Sequence, residues 1–208
     1  MGEEQHEREP ELDLGVEEPL DPEADEQPRL DPEVEARRLA AMSFVRRYGD
    51  PVLKSKATPV DRFDDTLRGQ VARMAGIMSD AFGVGLAAPQ LGISQRLLVY
   101  RVGQEAPVIA LVNPEVEWTG EDEEGWEEGC LSIPDFTEGV TRPERVKLRY
   151  LDRNGKEREM WGEGFMARAM CHETDHLNGM LYVDHLRGFK RDRILKKIQK
   201  LSMSGMWS

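Results

Sequence analysis

His172, Glu173 and His176 stand together in CHETDH, residues 171–176, with the two histidines four positions apart. On an α-helix, residues i and i+4 share a face, so both imidazoles can grip one ion. A glutamate directly after the first ligand can face a metal-activated water and act as its general base. The plain structural alternative is a polar, solvated helix face, which predicts no further ligand elsewhere in the chain.

A catalytic metal site takes three protein ligands and keeps one position open. The metallopeptidase pattern HExxHxxGxxH would place its third histidine at 182, where this chain has Tyr182, and no glutamate follows Glu173. His185 is formally available but reads as an ordinary surface histidine. The better source lies upstream, in EEGCLSIP, residues 127–134. A thiolate from Cys130 there completes a Cys-His-His set. Cys171 adjoins His172, but neighbours on a helix point about 100° apart, so it reads as packing.

A third stretch, GVGLAAPQ, residues 83–90, matches the dinucleotide fingerprint G-x-G-x-x-A. That fingerprint follows a strand and opens a helix. Here the preceding residues read as helical, and Pro89 removes a backbone donor where the new helix would begin. The glycines instead suit a close approach to the backbone, with the Gln90 amide nearby.

The elements that must position these residues follow from periodicity. Phe63, Leu67, Val71, Met74 and Met78 recur at helical spacing, predicting an amphipathic helix that ends near Gly83. LLVYRV and VIALVN, between Arg96 and Asn113, read as short strands, and VKLRYLD leads into Asn154-Gly155, a two-residue hairpin signal. Residues 164–178 return to a helical pattern with Gly179 placed to end it, and a last, basic helix covers 190–201. Helices around a strand-rich middle predict an α+β domain.

The formal net charge of −12 is concentrated at one end. The first 35 residues hold fifteen acidic and two basic side chains and no aromatic residue, leaving 26 basic against 25 acidic in the remainder. Residues 1–41 are therefore expected to be a disordered acidic extension, and 42–208 the catalytic domain. The extension lacks the apolar core of a secretory signal and is acid-rich, unlike a transit peptide. No apolar run is long enough to span a membrane. Two cysteines make no disulfide framework, so a cytoplasmic location is expected.

GVGLAAPQ, EGCLS and HETDH occur together and in this order, and from about Phe44 to Leu201 the chain resembles the peptide deformylases. The resemblance implies mixed or antiparallel sheets around a central metal-binding helix, with a C-terminal helix, and removal of the formyl group from the N-terminal formyl-methionine of nascent polypeptides. It implies Fe²⁺ held by Cys130, His172 and His176, with Zn²⁺, Ni²⁺ or Co²⁺ as substitutes. It also implies Glu173 as acid/base, Gln90 and the Leu131 N–H as oxyanion donors, and Val84 and Gly85 at the substrate. Cys171 stands where bacterial members usually have glutamine, which adds a thiol and offers Cys130 a disulfide partner on oxidation if geometry permits. The C-terminal segment 186–201 carries seven basic residues and one acidic one, and the resemblance implies a ribosome contact there; neither DNA nor membrane is an expected partner. The rival readings are a metallopeptidase with a cysteine ligand and a non-catalytic metal or redox protein.

Overall fold

The computed structural model describes residues 30–103, 105–205 and 207. Seven strands form two sheets. β1 (Gly85–Ala87), β2 (Leu97–Tyr100), β3 (Ile109–Thr119), β6 (Arg145–Leu151) and β7 (Glu157–Glu163) make a five-stranded antiparallel sheet in the order β1-β2-β3-β6-β7. β4 (Glu123–Cys130) and β5 (Ile133–Pro143) pair with each other in a separate antiparallel hairpin. The expected α+β class with antiparallel sheets is present.

The helices are α1 (Pro32–Met42), α2 (Asp65–Asp80), α3 (Phe165–Leu177), α4 (Tyr182–His185) and α5 (Gly188–Met203). α3 packs against β1, β2, β3 and β7 on one side and β5 on the other, which makes it the central element. Met170, Ala167 and Leu177 of α3 join Leu98, Leu111, Val146 and Leu148 of the sheet in one core cluster. A second cluster joins α1 and α2 to β1 and β2, and a third joins the β4–β5 hairpin to α4 and α5. The last carbonyl of α3, on Leu177, accepts from the Ala57 N–H and the Arg96 guanidinium. These bonds satisfy a helix end that would otherwise be orphaned. Gly179, at φ +74°, then turns the chain beside the Lys54 carbonyl, where a Cβ would lie 2.7 Å from that oxygen.

Local signals and structure differ in two places. The Asn154-Gly155 hairpin is wider than two residues, because β6 and β7 stop pairing at Leu151 and Glu157. The Asp152 carboxylate accepts from the Asn154 and Lys156 N–H groups and organises a longer loop. The second difference lies within the expected acidic extension. Residues 1–29 fall outside the described residues, but Pro32–Met42 is helical. Glu33 and Glu35 occupy its first turn, where the helix dipole favours negative charge. Ala41 and Met42 are buried at its other end, in the cluster that holds Leu67, Val71 and Met74 of α2. Apolar packing outweighs the polar composition here, and residues from Pro32 onward belong to one compact unit.

A chain that begins at Met42 should therefore be less stable than one that begins at Asp31, by roughly 1–3 kcal/mol for the apolar surface uncovered. Urea unfolding of the two truncations measures this, and coincident midpoints would mean that α1 contributes no packing.

Candidate metal centre and active site

α3 places His172 and His176 on one face, with ring centroids 5.0 Å apart and the rings edge to face. Cys130 reaches them from the end of β4. The β4–β5 ladder shifts register between Gly129 and Cys130, so Cys130 leaves the regular hairpin pairing and turns its sulfur inward. Its Sγ lies 3.4 Å from His176 Nε2. One ligand atom from each of Cys130, His172 and His176 falls within 4.8 Å of the others. His185, the other histidine weighed for this role, bonds Asp175 Oδ2 at 2.7 Å instead. Tyr182, in the metallopeptidase position, stacks over His172 with a centroid distance of 6.5 Å.

The electrostatics of this cluster suit a cation. Burial lowers the His172 pKa, but hydrogen bonding to Cys130 and Glu128 carries it well above the ordinary imidazole value. Burial and then the charge of His172 leave His176 well below that value. Positive charge on one imidazole thus excludes it from the other, while a thiol and a buried carboxylate stand beside them. A metal dication is the natural occupant of such a donor set.

Sequence reasoning missed the residues behind the ligands. Glu128, two positions before Cys130 on β4, is buried, and its Oε2 lies 3.0 Å from His172 Nδ1. Arg142 of β5 donates to both of its oxygens at 2.8 and 2.9 Å, and Arg168 of α3 donates to Oε1 at 2.6 Å. Arg142 continues to Asp175 at 2.6 Å. Burial raises the Glu128 pKa, but the hydrogen bonds from Arg142 and His172 outweigh it and hold the carboxyl well below its ordinary value of 4.5. The carboxylate fixes the His172 tautomer that turns Nε2 to the cluster. One signal was available for Glu128: alternate residues of a strand share a face.

Gln90 sits in a 3₁₀ turn, Ala88–Leu91, directly after β1. The Ala87 N–H donates to its Oε1 at 2.8 Å. That bond sets the amide orientation and sends Nε2 toward Cys130 Sγ, 3.6 Å away, and Ser132 Oγ, 3.4 Å away. Glu173 is buried, with no hydrogen-bond partner for Oε2 among the described residues. Burial pushes its carboxyl up to about 7, with the charge of His172 pulling the other way. What approaches Gly85 closely is this side chain: a Cβ on Gly85 would lie 2.4 Å from Glu173 Oε1. Gln90, Leu131, Val84, Gly85, Cys130, His172 and Glu173 all line one cavity of about 370 Å³. Cys171 is outside it. Its thiol packs in the sheet-side cluster, and burial pushes it up to about 11.

A buried Cys-His-His site beside an unpartnered carboxylate, on the central helix of an α+β fold, defines a metal-dependent hydrolase. The sequence model of the polypeptide deformylase family matches residues 42–192. A peptide deformylase of Mesorhizobium japonicum is 46% identical over 157 residues, covering 74% of this chain and 89% of that protein. One from Thermoanaerobacter pseudethanolicus is 48% identical over 144 residues, covering 69% and 89%. The crystal structure of a peptide deformylase from Legionella pneumophila superposes with a TM-score of 0.73 at 41% identity, covering 79% of this chain and 97% of that one. That of the Synechococcus elongatus enzyme in complex with actinonin gives 0.70 at 41% identity, covering 74% and 85%. The chain belongs to the polypeptide deformylase family, whose members are metal-dependent hydrolases that remove N-formyl groups.

Glu128→Gln should weaken metal binding about 10–100-fold, measured by competition with a chelator. The same variant tests the charge. Because the folded pKa of Glu128 is depressed, its contribution to stability is complete above its ordinary 4.5 and drains away as the pH falls toward the folded value. Metal-free Glu128→Gln should therefore lose less stability than metal-free wild type as the pH drops below 4.5. Parallel acid-unfolding curves would contradict it.

Proposed function

We propose that the protein hydrolyses the formyl group from the N-terminal formyl-methionine of newly made polypeptides and releases formate. The observation that carries this reading is the buried Glu173, whose free Oε2 shares a cavity wall with Cys130, His172, Gln90 and Leu131. Cys130, His172 and His176 would hold the metal, which supplies a Lewis acid that makes water nucleophilic near neutral pH. Glu173 accepts the proton of the attacking water, and a carboxyl held near 7 suits that exchange. The Gln90 amide and the Leu131 N–H donate to the oxygen that gains charge as the formyl carbon becomes tetrahedral. Glu173 then returns the proton to the leaving amine as the C–N bond breaks. Val84 and Gly85 flank the methionine.

Formate release from formyl-Met-Ala-Ser, with no cleavage of the unformylated Met-Ala-Ser, tests the reading. Peptide-bond cleavage of the latter would instead favour a metallopeptidase. Glu173→Ala should lose activity by about 10²–10⁴-fold and retain stoichiometric metal. Gly85→Ala should also lower kcat with metal content unchanged, because its methyl group displaces the Glu173 carboxylate. A parallel loss of metal in either variant would make Glu173 a ligand.

Fe²⁺ is the metal we assign, on the strength of the family resemblance; the ligand chemistry itself accepts iron or zinc. Enzyme loaded with iron should lose activity in air faster than enzyme loaded with nickel, through oxidation of the metal and of the Cys130 thiolate. The Cys171 thiol, half-buried outside the cavity and weakly acidic, is not its partner in that loss, so Cys171→Ala should decay at the wild-type rate.

The substrate places the protein in the cytoplasm beside ribosomes. α5 buries Ile194 and Ile198 against the body and ties Lys190 and Arg193 to Glu138. Lys196, Lys197 and Lys200 remain exposed for ribosomal RNA, and such binding would weaken steeply with salt.

A further inference from the structure

All of α1 except its last residue, Met42, lies before the residues that the family model matches, yet the helix reaches the substrate cavity. Met42 and Arg38 both line it, together with Phe82, Gly83 and Asp135. Met42 is buried and continuous with the core, so the end of the helix is fixed in place. Arg38, one helical turn earlier, is exposed, with its guanidinium over the Phe82 ring at 5.9 Å from the centroid. That contact constrains a long side chain that would otherwise sweep freely through solvent.

Arg168 is the other arginine in the cavity wall, and it is committed to Glu128 and to the carbonyls of Val140 and Glu124. Arg38 makes no ion pair among the described residues, so its charge is available to a ligand. The reaction centre is fixed at Cys130, His172 and Glu173, and a polypeptide held there by its first residue must leave through the cavity mouth. Arg38 and Phe82 line that same cavity.

We propose that α1 forms a wall of the substrate channel and that Arg38 favours polypeptides with an acidic side chain directly after the methionine. The inference rests on the deformylase reading given above and adds to it a specificity-determining residue from outside the family match. Phe82 supplies apolar surface beneath the pair, and the guanidinium can meet a carboxylate with two parallel hydrogen bonds.

The test uses the full-length, metal-loaded enzyme and C-terminally amidated formyl-Met-Glu-Ala and formyl-Met-Lys-Ala, so that side-chain charge is the only anion that differs. The ratio of kcat/KM for the glutamate peptide to that for the lysine peptide should fall about threefold in Arg38→Ala, as expected for an exposed ion pair. It should fall further in Arg38→Glu and hold in Arg38→Lys. The change should appear in KM, with kcat for formyl-Met-Ala-Ala amide unaltered in all variants, and should shrink at high salt. An unchanged ratio across variants with wild-type melting temperatures would overturn the inference and leave the deformylase reading standing. Absence of formate release from every peptide would overturn both.

Discussion

A single buried carboxylate joins the elements of this site. Glu128 stands on β4, bonds His172 and Arg168 on α3, and bonds Arg142 on β5. No part of that arrangement is stable without the rest. Without Glu128, Arg142 would keep only Asp175 as an anion and Arg168 would have only carbonyl partners, and a buried charge left uncompensated typically costs about 3–5 kcal/mol. The carboxylate alone would be protonated by its burial. Together they form a charged and fully bonded network that ties the hairpin to the central helix in one register. The metal ligands on those two elements are aligned as a result.

Around that anchor, the active groups are held by backbone more than by each other. The Ala87 N–H turns the Gln90 amide, and the register shift at Gly129 turns Cys130. The Arg46 N–H bonds the Gln90 carbonyl and the Tyr48 N–H bonds the Ser132 carbonyl, at 2.7 and 2.9 Å. One short strap, residues 46–48, therefore braces both loops that carry the proposed oxyanion donors, Gln90 and Leu131. Such donors act by being in position before charge develops, since reorganisation at the moment of reaction would consume their benefit.

Much of this was legible from residue types. The i,i+4 histidines lie on a helix, the helical pattern over 164–178 corresponds to α3, and Gly179 ends it at positive φ. The hydrophobic repeat from Leu67 to Met78 corresponds to α2. What escaped depends on distance along the chain. Arg142 meets Glu128 across a hairpin, a partnership that no local pattern encodes. Glu123–Cys130 is rich in glutamate and glycine, so strand propensity is weak there and pairing with β5 decides the conformation. Pro32–Met42 was absorbed into an acidic stretch because composition averages over a window, whereas burial of Ala41 and Met42 is set by what α2 presents to them. Gly85 carried a correct signal with an unnamed neighbour: the side chain pressed against it comes from residue 173.

The ligand atoms also have an order of arrival. Cys130 and His176 are separated by 46 positions, and β5, β6, β7 and nearly all of α3 are made between them. A ribosome delivers the thiol long before the imidazoles. Until α3 has emerged and docked, Cys130 is a lone, exposed thiol with no partner to hold an ion in place. Metal acquisition is thereby tied to completion of the domain, and an enzyme that acts on unfinished chains must itself be nearly finished before it can begin.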